Sequence, residues 1–287
     1  MKIVLTGATG RLGRDLAPAL AERHEVIGVG SRDLDITDAA ATTEYLVAHR
    51  PEAVVHTAAW ADVDGCERDP DRAYRLNAGG TWNLAVGCQR IDAALLYIST
   101  DYVFDGEKGA PYLEFDPTGP INVYGASKLA GEQVVRDLVA RHYIVRGSWF
   151  FGHHGDCFAR RVLRSAGEGQ EVRAFRDRTG SPSYTPDLAR LVVAIVESEW
   201  YGTYHASNRG QCSWYEFARE IVTRAGAPEA VTPVTSEQVR LRARRPRHSA
   251  LRHLSLEMLG RDDVRPWQEA VAEFVRIEQG CAGGREG

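Results

Sequence analysis

Apolar residues recur along this chain with alternating periods, and the alternation predicts its architecture. Ile3, Val4 and Leu5 form a short apolar run, Leu12, Leu16, Ala19 and Leu20 then fall at helical spacing, and Glu25 to Gly30 holds a second run. This is a βαβ unit. The pattern continues with a loop from Asp33 to Thr37, a helix from Ala39 to His49 and a third strand, Ala53 to His56. A long helix opens at Pro70 and passes through Tyr74, Asn77, Trp82 and Val86. A fourth strand, Ala94 to Ser99, is almost wholly apolar, as a strand covered on both faces should be, and a fifth runs from His142 to Arg146. The expected fold is therefore α/β, a Rossmann-type doubly wound parallel sheet with a smaller α/β substrate-binding domain.

Beyond Arg146 the pattern is less regular, with helices expected at Pro186 to Trp200, Ser213 to Arg224 and Trp267 to Ile277. The expected division is a dinucleotide-binding domain over 1–150, to which 184–200 returns, a mainly substrate-binding domain over 151–278, and a flexible polar tail over 279–287.

The turn after the first strand reads Thr6-Gly7-Ala8-Thr9-Gly10-Arg11-Leu12-Gly13. Gly7 permits the tight turn, Gly10 lets backbone N–H groups approach a pyrophosphate, and Gly13 lets helix and sheet pack closely. In an open parallel sheet ligands sit beyond the carboxyl ends of the strands, so Gly7, Ala58 and Thr100 converge on one crevice. The second strand ends in Gly30-Ser31-Arg32 rather than in an acidic residue. Arg32, with Arg11, therefore favours the 2′-phosphate of NADP(H) over NAD(H). The alternative is a pair of solvated arginines, which would leave NADH acceptable.

Tyr124 and Lys128 lie four residues apart on one helix face. Tyr124 is a candidate general acid for a carbonyl reduced by hydride transfer, and Lys128 a nearby cation that favours phenolate and can hold the nicotinamide ribose. Thr100 can donate to the same oxygen. Other chemistries find less support: His153-His154 and the pair His248 and His253 lack metal-type companions, no metal ligands are assigned, and no G-x-S-x-G elbow or P-loop lysine occurs. The arginine-rich run from Arg240 to His248 is a solvated loop or a seat for a substrate diphosphate.

Composition narrows the setting. The 287 residues are 44% hydrophobic and carry a net charge of -4, so no overall basic field exists for a nucleic acid or an anionic membrane. Five scattered cysteines without C-x-x-C pairs read as reduced thiols. With no signal-like or bilayer-length apolar run, the reading is cytoplasmic.

Taken together, the glycine turn, Ser99-Thr100-Asp101-Tyr102-Val103-Phe104, Asn122-Val123-Tyr124-Gly125 with Lys128-Leu129-Ala130-Gly131-Glu132, and Arg146 with Ser148-Trp149 resemble the extended short-chain dehydrogenase/reductases, and more closely their dTDP-4-dehydrorhamnose reductase family. Asp177, Gly180, Pro182, Asp187-Leu188-Ala189 and the Arg245-Pro246 to Ser249-Ala250-Leu251 segment fit the same family. The resemblance implies NADPH-dependent reduction of a dTDP-linked 4-keto sugar to dTDP-L-rhamnose. By position it implies that Gly10, Arg11, Leu12, Asp35, Ile36, Ala59, Trp60 and Ala61 line the cofactor site. Thr100, Asp101, Trp149, Arg178 and Arg247 would contact substrate.

Five positions depart from the family pattern: Phe150-Phe151 for Val-Tyr, Cys157 for Asn, Arg178 for Gln and Ser183 for Thr. They leave open a 4-ketoreductase for another dTDP-deoxysugar. A non-catalytic regulatory subunit that keeps the cofactor is a further alternative, and a homodimer is left open.

Overall fold

The computed structural model describes residues 1–227 and 231–283. Its first half runs β1 (Lys2–Thr6), α1 (Arg11–Ala21), β2 (Glu25–Val29), α2 (Ala39–His49) and β3 (Ala53–His56). Two short helices, α3 (Val63–Arg68) and α4 (Pro70–Tyr74), lead through a π-helical turn, Arg75–Gly79, into α5 (Gly80–Ile91). Then come β4 (Ala94–Thr100), α6 (Val123–Leu138) and β5 (His142–Gly147).

The second half holds β6 (Phe150–Phe151), α7 (Phe158–Gly167), β7 (Val172–Phe175), β8 (Thr179–Gly180), β9 (Ser183–Tyr184), α8 (Thr185–Val196) and β10 (Gly202–His205). It ends with β11 (Cys212–Ser213), α9 (Trp214–Arg224), β12 (Val231–Val234), α10 (Leu254–Met258) and α11 (Trp267–Gly283).

Six strands form one parallel sheet in the order β10-β5-β4-β3-β1-β2. The chain leaves β1 toward β2 on one side and returns to β3 on the other, so a switch point lies between β1 and β3, where doubly wound sheets bind ligands. Alternate residues of each strand feed opposite layers. Ile3, Leu5, Val55, Leu96 and Val145 pack with Leu12, Leu16 and Leu20 of α1 and Leu188 and Val192 of α8. On the other face Val4, Val54, Leu95 and Ile144 pack with Leu46, Leu84 and Val135. Burial on both faces is why the fourth strand reads as an unbroken apolar run.

A third core, centred on Phe151, Phe217, Trp267 and Phe274, joins α7, α9 and α11. The strand Gly202–His205 was not legible in the sequence: only four residues long, it is held at the sheet edge by pairing with β5 rather than by any pattern of its own. The expected helix from Pro186 to Trp200 runs instead from Thr185 to Val196. The last helix continues past Ile277 to Gly283, where Glu278 is engaged by His153 at 2.7 Å and Arg160 at 3.1 Å. The expected tail over 279–287 therefore begins as helix, and 284–287 lie outside the described residues. Among the described residues no helix is long and apolar enough to cross a membrane.

Candidate active site

The carboxyl ends of β1, β3, β4 and β5 bring the candidate residues to one side of the sheet. At the end of β1 Gly7 has φ +74°, and a Cβ there would come within 2.6 Å of Ala58 N and Thr57 Oγ1. A Cβ on Gly13 would meet Gly7 O at 2.2 Å, so the close packing of helix on turn requires glycine. α1 begins with no side-chain cap and no acidic residue in its first turn. The amides of Arg11, Leu12 and Gly13 have no acceptor among the described residues. Three free donors at a helix N-terminus, beside a turn that only glycine permits, fit a dinucleotide's phosphates.

Leu12 contributes only its backbone there, because its side chain is buried in the α1 core. Arg32, at the end of β2, is exposed. Asp35 is exposed and accepts from Thr37 N at 2.9 Å and Thr37 Oγ1 at 2.8 Å, bonds that hold its carboxyl below its ordinary range. Ile36 is buried, and its side chain packs where a Cβ on Gly80 would come within 2.7 Å of it. Ala58, Ala59, Trp60 and Ala61 follow β3 as expected. Their loop is fastened by Asn77 in the π-helical turn, whose Oδ1 accepts from Trp60 N at 2.8 Å and whose Nδ2 donates to Trp60 O and to Ser127 Oγ. A π-turn here aims one buried amide at both the loop and α6.

α6 carries the chemistry. Asn122 caps it by accepting from Gly125 N at 2.8 Å. Gly125 lets the helix approach β4, since a Cβ would lie 2.0 Å from Tyr102 O. Tyr124 in the first turn meets the Tyr102 ring edge-on at 6.0 Å between centroids. Burial pushes its phenol above the usual tyrosine range, while Thr100 pulls the other way. Lys128 is buried, with Nζ 3.9 Å from the centre of the Tyr97 ring. Burial lowers its ammonium to about 7, against the pull of Glu132. Lys128, expected as a cation that favours phenolate, does not set the phenol's proton affinity here; desolvation governs both groups.

At the end of β4 Thr100 Oγ1 accepts from Tyr102 N at 3.2 Å and donates to Asp101 Oδ1 at 3.1 Å. Asp101 is buried and accepts from Ser249 Oγ at 2.5 Å; burial raises its carboxyl to about 6 against those hydrogen bonds.

These residues open on a cavity of about 460 Å³ lined by Arg11, Ala61, Thr100, Asp101, Tyr124, Trp149 and Arg178. Trp149 has φ +47°, a left-handed backbone that a bulky residue adopts at a cost of about 1–3 kcal/mol. It is held there by stacking on Trp214 at 3.7 Å, over a glycine at 180 whose Cβ would strike the indole at 2.4 Å. Arg178 is nearly buried, lies over the Phe175 ring at 3.9 Å and donates from Nε to Ser236 Oγ at 2.9 Å. Among the described residues no carboxylate lies within ion-pair distance of it. Burial lowers its pKa, as expected of a cation without such a partner. Arg247 is exposed and does not line the cavity. Arg245, two residues earlier, does, with its charge met by Asp64 at 2.7 and 2.8 Å.

Residues 1–279 match the family model described as "RmlD substrate binding domain". A dTDP-4-dehydrorhamnose reductase of Streptomyces griseus is 39% identical over 288 residues, covering 98% of this chain and 95% of its own. The chain belongs to the dTDP-4-dehydrorhamnose reductase family. A dTDP-4-keto-6-deoxy-D-glucose reductase of Streptomyces niveus is 38% identical over 273 residues, covering 94% of this chain and 95% of its own. The solved dTDP-4-dehydrorhamnose reductase of Bacillus anthracis, in complex with NADP, superposes with a TM-score of 0.93 at 39% identity, covering 96% of this chain and 99% of that one.

Among the residues lining the cavity of this family member, Trp214, Phe158 and Phe175 carried no signal in the sequence, and Arg245 carried one that did not single it out. The first three belong to separate elements that meet only in the folded second half. The arginine-rich run did signal Arg245, but which arginine turns inward is set by Asp64, far away in sequence.

Proposed function

We propose that this protein reduces the 4-keto group of a dTDP-linked 4-dehydro-6-deoxy sugar with NADPH, and that dTDP-4-dehydrorhamnose, giving dTDP-L-rhamnose, is the substrate it serves. The observation that carries the reading is the convergence of Tyr124 and Thr100 with the unpaired cation Arg178 on one cavity beside the glycine turn. A ketone needs the first pair; a diphosphate needs the third.

NADPH, when bound, supplies the hydride that adds to the carbonyl carbon. The Arg11 to Gly13 amides would receive its phosphates, and Lys128 would hold its ribose. Tyr124 keeps its proton at neutral pH because burial raises its phenol, so the group waits in its donor form. As charge grows on the carbonyl oxygen, the nascent alkoxide is a stronger base than phenolate, and the proton passes from Tyr124 Oη to that oxygen. Thr100 donates to the same oxygen, stabilising charge where it develops. Trp149 packs against the sugar, Asp101 orients its hydroxyls, and Arg178 takes the diphosphate.

A second reading, reduction to another dTDP-deoxysugar, is favoured by the Streptomyces niveus relative, whose name describes a different 4-keto substrate. Purified protein with NADPH should lose nicotinamide absorbance on dTDP-4-dehydrorhamnose, and NMR of the product should show the rhamno configuration. Turnover only on the gluco substrate selects the second reading, and turnover on neither overturns both. Tyr124→Phe should lower kcat by about 10²–10⁴-fold with NADPH binding retained.

A further inference from the structure

The side chain of Arg11 leaves the cofactor turn that its own backbone helps to form. NH1 donates to the Phe150 carbonyl at 3.2 Å and NH2 donates to the Asp156 carbonyl. Nε is enclosed without a partner. Every hydrogen bond of this guanidinium therefore runs to one loop of the substrate-facing half. One turn along α1, Asp15 Oδ1 meets His154 Nε2 at 3.4 Å, so the helix grips the same loop twice. From the far side His153 is held between Glu278 at 2.7 Å and the Tyr184 hydroxyl at 2.6 Å.

This loop carries the wall of the cavity. Asp156 leads through Cys157, the N-cap of α7, to Phe158, whose ring meets Trp214 edge-on at 4.5 Å. Trp214 in turn stacks on Trp149. Phe150, Asp156, Phe158, Trp214 and Trp149 all line the cavity. Packed aromatic rings transmit a displacement rather than absorb it.

We propose that Arg11 is a positioning residue for the sugar nucleotide: it suspends the loop Phe150–Asp156 from the first turn of the cofactor-facing helix and so sets the aromatic wall against which substrate docks. The inference rests on the substrate class proposed above. Arginine suits the task because its planar fork reaches two carbonyls at once, whereas lysine presents a single nitrogen and methionine none.

The test is binding, read without turnover. In Arg11→Met, calorimetric titration with dTDP-L-rhamnose should give a Kd raised about tenfold, with a smaller rise in Arg11→Lys, while NADPH binding followed by fluorescence stays within about twofold of wild type. Retained NADPH binding also shows that the variant is folded; should Arg11→Met not fold, Arg11→Lys is read alone by the same two titrations. Loss of NADPH affinity with dTDP-L-rhamnose binding intact overturns the proposal and makes the guanidinium a cofactor ligand. Equal loss of both, or loss of neither, overturns it as well. Failure of the reductase reading would appear separately, as wild-type protein that binds dTDP-L-rhamnose but does not oxidise NADPH with any dTDP-4-keto sugar.

Discussion

Glu132 and Arg146 close on each other beneath the helix that carries Tyr124 and Lys128. Arg146 donates from Nε to Oε1 at 2.8 Å and from NH2 to Oε2 at 2.8 Å, and the two side chains are 0% and 2% exposed. Ser99 at the end of β4 donates to the same carboxylate at 2.6 Å, and Arg136 donates at 2.9 Å. Burial would raise the Glu132 carboxyl, but Arg146 overcomes it and holds the group low. One ion pair thus locks α6 to the two strands whose ends frame the cavity.

Arg146→Met should destabilise the fold by up to about 3–5 kcal/mol in urea unfolding, because it leaves the buried Glu132 carboxylate with only the half-exposed Arg136 as a cationic partner. The double variant Glu132→Leu with Arg146→Met should cost markedly less than the single. Glu132 has a folded pKa below its unfolded value of 4.5, so its contribution is present above that value and lost as pH falls through the folded pKa. A double variant as unstable as the single would contradict this account.

Lys128 should tie cofactor affinity to pH. Burial lowers its ammonium to about 7, and the negative charge of bound NADPH would raise that value. Binding therefore takes up a proton, so NADPH should bind more weakly as pH rises through about 7, by at most about tenfold per pH unit. Fluorescence titration across the range should show this slope in wild type and a flat profile in Lys128→Met.

Arg178 and Arg247 should separate cleanly in steady-state kinetics. Arg178 faces the cavity with no carboxylate partner, whereas Arg247 is exposed outside it. Arg178→Gln should raise KM for the dTDP-sugar by about 10–100-fold, the worth of one or two charge-assisted hydrogen bonds. Arg247→Ala should leave KM within about twofold. The reverse order would move the diphosphate to the outer arginine.

Arg32 stands exposed at the end of β2. Arg32→Ala should weaken NADPH by about tenfold while leaving NADH nearly unchanged, since only NADPH carries a 2′-phosphate for a guanidinium to meet. Equal losses for both cofactors would place that phosphate elsewhere.

Much of the first half was legible in the chain itself. Its strands are buried on both faces and its helices present one apolar stripe, so local periodicity and global packing agree. Gly7 and Gly13 announced a turn that no side chain could share, and Tyr124 and Lys128 needed only helical spacing to fall together. Their spacing could not show their protonation, because desolvation depends on what covers them. The second half was less legible because its strands are two to four residues long and borrow their pairing from distant partners.

Local pattern alone, then, determined the order of strands and helices in the first half, the glycine turn after β1 and the placing of Tyr124 and Lys128 on one helix face, because each depends on residues a few positions apart. Tertiary structure decided what crosses between halves: that Arg11 reaches to Phe150 and Asp156, that Asp64 turns Arg245 inward while Arg247 stays out, and that Trp214 pins Trp149. Those contacts join groups from about 65 to about 180 positions apart. No periodicity spans such separations; only the packed cores bring their ends together.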